Sequence, residues 1–226
     1  MKSADCENRA SSKQMVSSTY NPIDAWRRAS VFFGVCFLIA GLTGTLSDVF
    51  SEPLFSAENL DNRNWIIWTQ ACFIIIAVGY FYIWPRGTVT HGRPLVLAAV
   101  IPFGLAWGIS EGLLFVSVWS MVFRFLGQSV WTVVITFLIL SAFIGLWHTF
   151  YWDIWIAPEH NLAEWNGRKV AFAHTPNLIA TLIYLTLYQS VGMMVVFQTI
   201  ALLASTYFMH FPPFWGERRE EKRNTE

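Results

Sequence analysis

Glu111 stands in an apolar run, "GISEGLLFVSVW" at 108–119, with Phe103 and Leu105 before it and Leu113, Leu114 and Phe115 after it. A charged side chain at the centre of a membrane helix costs about 2.5–3.5 kcal/mol even on lenient insertion scales. The carboxyl group must therefore be protonated, paired or turned toward something polar. His148 and His174 are candidates for that company, because apolar sequence surrounds both. A carboxylate and two imidazoles can move protons to and from water. They can also hold a divalent zinc or iron ion, with positions left open for water or substrate. Asp153, Glu159 and His160 in "WDIWIAPEH" offer further ligands. The candidate metal set is His148, His174, Asp153 and His160.

The elements that must position these groups are helices. Hydrophobic residues make up 54% of the 226-residue chain, charged residues only 13%, and the mean hydropathy is +0.43. A soluble domain carries about 25% charged residues, so this is an integral membrane protein. Six runs are long enough to cross a bilayer, which takes about 20 residues of helix: 29–49, 65–84, 95–123, 130–155, 170–189 and 191–210. The break near "YQSVG" is the weakest. Residues 1–28 read as a disordered polar tail without the apolar core of a signal peptide, 29–210 as the membrane domain, and 211–226 as a charged tail. The formal net charge is zero, so nothing suggests a nucleic-acid partner.

Lys and Arg set the orientation. Arg27, Arg28, Arg86, Arg93, Arg168, Lys169 and the Arg218–Arg223 cluster fall on one side, while the alternate loops hold only Arg63 and Arg124. Both termini are thus expected in the cytoplasm, in a plasma or inner membrane, with the endoplasmic reticulum as the alternative. All five histidines map to the cytoplasmic side. Span five carries His174, Asn177, Thr181, Tyr184 and Tyr188 at three- and four-residue steps, one helical face that lipid would penalise. Pro176 removes an amide at the end of that stripe. The span needs length, so the helix is expected to start before "HTPN" and kink. Counting from the outer "LGQS" turn, Glu111 lies about 20 Å inward and His148 about 28 Å, a difference that tilt absorbs. His174 falls level with His148.

"GISEG" matches G-x-S-x-G, but the nucleophile elbow needs a strand–turn–helix context, so Ser110 is set aside. No H-E-x-x-H is present. The ordered trio Glu111, His148 and His174 with Asn177 resembles the CAAX-prenyl-protease-like (CPBP, or Abi) intramembrane proteases. Glu111-Gly112-Leu113-Leu114-Phe115-Val116 stands where that family has E-E-x-x-F-R. "AFIGLWH" places Phe143 five residues before His148, where the family has four. His174 and Asn177 approach H-x-x-x-N, one residue closer. The likeness covers about residues 100–185, and the second acid and the arginine are replaced by Gly112 and Val116. It implies a water activated by Glu111, with His148, His174 and Asn177 positioning that water or stabilising an oxyanion. The substrate would be a membrane protein or a lipid. A metal-dependent oxidoreductase or lipid- or isoprenoid-modifying enzyme would use the same groups. A transporter or a membrane-complex assembly factor would use none of them catalytically, and Glu111 would then be an interhelical tie.

Overall fold

A computed structural model of the chain describes residues 22–88, 90, 94–152 and 167–211, and every regular element among them is helical. In chain order these are α1 (Pro22–Thr43), α2 (Thr45–Ser51), α3 (Ala57–Asp61), α4 (Arg63–Arg86), α5 (Leu97–Leu126), α6 (Val130–Tyr151), α7 (Gly167–Tyr188) and α8 (Val191–Met209). Six of them, α1 and α4 to α8, are long and apolar enough to cross a membrane. The protein is an all-α multi-pass membrane protein.

The expected spans hold with shifts of a few residues, and the first needs correcting. Its helix begins at Pro22, inside the segment read as a tail, because proline is pre-organised for a first helical turn and lacks only an amide that has no partner there. It stops at Thr43, well before residue 49. Gly44 takes a left-handed φ of +83°, which ends the helix, and Thr43 turns its hydroxyl back onto the Ile39 carbonyl at 2.9 Å. The break near "YQSVG" is real. Gln189 adopts φ 52° and its amide bonds to the Leu185 carbonyl, so α7 ends and α8 starts at Val191. The proposed tails at 1–21 and 212–226 lie outside the described residues.

Two helices widen where a proline follows. In α4, π-helical turns run over Ala77–Ile83, just before Pro85; in α7 they run over Val170–His174, just before Pro176. Proline cannot donate to the carbonyl four residues back and its ring crowds that carbonyl, so the turn ahead of it opens. The helix of span five does start before "HTPN", at Gly167. A third π-helical stretch, His148–Trp152, ends α6.

Helix α5 is the central element, and its longest interface is with α8. Gly104, Gly108 and Gly112 recur at four-residue steps and face Leu203 and Thr206, then Thr199, then Val195, so the two helices run antiparallel in direct backbone contact. In a bilayer, where apolar burial drives little helix association, small residues that let backbones meet supply the packing. The glycines of "GISEG" are explained by this contact. Ser110 between them is a buried helical residue in no elbow.

Helix α7 buries two faces. His174, Asn177, Thr181 and Tyr184 are buried as the stripe requires and Tyr188 partly so, yet Leu178, Leu182 and Leu185 are also enclosed, in a core shared with α1, α5, α6 and α8. The lipid-facing positions are Phe172, Ile179 and Leu187, at 62%, 38% and 40% exposure. In a cysteine-free background, single cysteines at those three positions are expected to react several-fold faster with a membrane-soluble thiol reagent than cysteines at Thr181 or Leu182. Equal rates around the helix would contradict its burial.

Candidate active site

Glu111 from α5, His148 from α6 and His174 from α7 line one cavity of about 80 Å³. It lies at the end of the bundle where α1 begins and α8 ends. Met209 and Phe211 form part of its wall, Phe103 packs edge-on to Trp26 at 4.9 Å, and Arg28 donates to the Tyr151 carbonyl and lies over the Tyr151 ring. A cavity of this size holds several waters, since one needs about 10–15 Å³ and two to four polar partners. It is far below the roughly 300–1,000 Å³ of a pocket that encloses a drug-sized ligand.

Glu111 is buried, at 6% exposure, and its two carboxyl oxygens differ. Oε2 accepts from Trp107 Nε1 at 3.0 Å, one turn back along α5, while Oε1 is buried with no hydrogen-bond partner among the described residues. Trp107 is held in turn by Phe32 of α1, which stacks on it at 5.0 Å and 22°. The carboxyl group therefore has one oxygen fixed by an indole and one unsatisfied beside a cavity. A buried polar atom of that kind calls for a water or a ligand group.

His174 is buried at the last residue of its π-helical turns. Its Nδ1 lies 3.1 Å from the Tyr80 hydroxyl, and either group can donate. This contact orients the ring so that Nε2 points away from Tyr80. Tyr80 is fully buried within the π-helical turns of α4 and stacks on Trp84 at 5.2 Å and 22°. His148 opens the third π-helical stretch and is close enough to His174 to interact with it electrostatically. Two of the three π-helical stretches thus line the cavity, through His148 and His174, and the third ends one residue before Trp84, which lines it as well. Such turns are rare and concentrate at functional sites.

The other expected site residues part company here. Asn177 does not line the cavity. It is fully buried one turn further along α7, where its Nδ2 donates to Gln198 Oε1 at 3.3 Å, and Gln198 contacts the Thr181 hydroxyl at 3.4 Å. It ties α7 to α8 beside the Tyr80 hydroxyl. Asp153, Glu159 and His160 lie outside the described residues, as does His91. Among the described residues, no three His, Cys, Asp or Glu side chains come together in a group that could hold a metal ion.

The packing accounts for the two departures from the E-E-x-x-F-R pattern. A Cβ at Gly112 would lie 2.8 Å from the Val195 Cα, so no glutamate fits there, and Val116 is sealed in the core shared by α1, α5, α6 and α7. Tyr80, Trp84 and Trp107 were not anticipated from sequence. Trp107 had a signal, being four residues before Glu111 on one helix face. Tyr80 had none, since its role depends on α4 lying against α7. Lys169, likewise unanticipated, is fully buried with its ammonium 4.8 Å over the Trp84 ring. Compared with known proteins, the chain matches no family model, no curated protein and no solved structure.

Proposed function

We propose that this protein is a membrane hydrolase that works in the chamber shared by Glu111, His148 and His174. One observation carries the reading: three ionisable side chains from three different membrane-spanning helices meet at one cavity, Glu111 and His174 buried and His148 partly so. Intramembrane ionisable groups are costly, and when they converge on a water-sized space the first hypothesis is function. Glu111 Oε1 takes a proton from a water, and the water oxygen bonds to the carbonyl carbon of an ester or amide. The bond to the leaving oxygen or nitrogen then breaks, and the proton passes from Glu111 or an imidazole to that leaving group. His174, oriented by Tyr80, and His148 serve as donors to the oxyanion and to the leaving group. The partial likeness to CAAX-protease-like enzymes agrees with this chemistry. The absence of the second acid and the arginine argues for hydrolysis without that family's full machinery.

The test is isotopic. Purified protein in lipid nanodiscs, offered a panel of amphiphilic esters and amides in heavy-oxygen water, is expected to release acids carrying the label. Acid formation without label would overturn direct attack by water.

Both termini and the chamber are proposed to face the cytoplasm, in a plasma or inner membrane. Arg27, Arg28, Arg86, Arg168 and Lys169 gather at the chamber end of the helices, whereas Arg63 and Arg124 lie at the other. A C-terminal reporter active only outside the cytoplasm is expected to stay silent. A signal from it would reverse the orientation.

A further inference from the structure

A second cavity, of about 210 Å³, lies between α6 and α7. Phe137, Ser141 and Gly145 line it from α6, and Val170, Thr175 and Leu178 from α7. It shares Ile144 and His174 with the Glu111 chamber, so His174 stands between the two spaces. Ser141 and Gly145 are exposed on the outside of the bundle. Ser141 lies about 16 Å along α6 from Val130 and about 15 Å from Tyr151, near the middle of the span. At that depth the opening meets lipid tails, not water.

Gly145 gives this cleft its character. A glycine inside a helix costs roughly 0.5–1 kcal/mol relative to alanine. Gly104, Gly108 and Gly112 offset that cost with backbone contact, but no described residue lies within 4 Å of where a Gly145 Cβ would stand. Its missing side chain leaves the wall of the cleft open. The cleft is also narrow: an α-helix with its side chains is about 10–12 Å across, too wide for this volume. Its lining is mostly apolar, with Ser141, Thr175 and His174 as its polar groups, and His174 is the one shared with the Glu111 chamber. That lining fits one hydrocarbon chain ending in a carbonyl group.

We infer that the cleft between α6 and α7 is the side entrance and tail seat for a single-chain lipid ester or amide, whose carbonyl reaches the Glu111 chamber past His174. The substrate class rests on the hydrolase reading, but the seat itself does not. With the tail in the cleft, water adds across the bond. Its hydroxyl goes to the carbonyl carbon and its remaining proton to the leaving oxygen or nitrogen. The acid returns to the membrane by the way it came.

The experiment uses the full-length protein in phosphatidylcholine nanodiscs and a long-chain fatty alcohol bearing a diazirine, with adducts mapped by peptide mass spectrometry. Adducts are expected to concentrate on Ser141, Val170 and Leu178. They should fall about tenfold in Gly145→Trp, which plugs the cleft, and persist in Gly145→Ala, which does not. Ser141→Phe provides a second plug should the tryptophan variant fail to fold. Labelling of the cleft no stronger than that of the lipid-facing Leu138 and Leu146, or undiminished by both plugs, would overturn the seat. Glu111→Gln separates the two proposals. Persistent cleft labelling in an active Glu111→Gln protein removes the hydrolase and leaves the seat, whereas an inactive one without cleft labelling in the parent protein removes the seat alone.

Discussion

Glu111→Gln is expected to leave the helical bundle folded and to lower activity by about 10²–10⁴-fold, the usual contribution of a positioned acid or base. Glutamine keeps the shape of the side chain and an oxygen that can accept from Trp107 Nε1, now at 3.0 Å. It cannot take a proton from water at neutral pH. His148→Ala should give the same loss, and the double variant should be little worse than either single, because members of one catalytic unit are not additive. Complementation of a deletion phenotype and the release of labelled acid are the two readouts. A tie between helices would behave otherwise. Glutamine would be tolerated, and leucine at 111, with its partner also made apolar, could even stabilise the bundle. An active Glu111→Gln protein would therefore return the glutamate to a structural role.

Gly108→Leu is expected to have the largest effect on folding. A Cβ at this position would overlap the Thr199 Cα and lie 3.1 Å from the Gln198 carbonyl oxygen. Both obstacles are backbone, so no rotamer change can relieve them, and α5 and α8 must separate. Overpacking a well-packed core typically costs about 1–3 kcal/mol, and a forced separation along the longest interface belongs at or beyond the upper end. Gly108→Ala should already lower the unfolding temperature in detergent. Gly34→Ala is the control: its Cβ would meet no described residue within 4 Å, it sits in the interior of α1, and it should be neutral or stabilising by up to about 1 kcal/mol. If Gly108→Ala and Gly34→Ala melt alike, the close approach of α5 and α8 is wrong. The same contact bears on the site, because it fixes the face of α5 that carries Glu111 relative to the Leu202, Ser205 and Thr206 wall of the chamber.

Much of the architecture could be read from residue order alone, for a physical reason. Bilayer thickness converts an apolar run directly into a spanning helix, so five of the six spans came within a few residues of the observed ones. The first did not, because apolar residues continue past Thr43 while Gly44 takes a left-handed φ that breaks the helix, and hydropathy does not report φ. Glu111, His148 and His174 were legible for a related reason: each is an ionisable group where hydrocarbon penalises one. The stripe on α7 showed which of its faces is polar, but not that its leucine face is buried as well. That depends on how many neighbours a helix has, which no single helix encodes.

Only the tertiary structure decided which polar residues share a space. Asn177 sits on the same face of α7 as His174, yet it turns to Gln198 on α8 instead of to the chamber. Tyr80 is distant in sequence from every candidate and touches His174 because α4 and α7 cross where both open into π-helical turns ahead of a proline. The glycines flanking Glu111 looked like a hydrolase signature and proved to be the surface on which α8 rests. Helix position and polarity are local properties that the solvent imposes residue by residue. Which side chains meet is set by interhelical packing, and that is a property of pairs of helices.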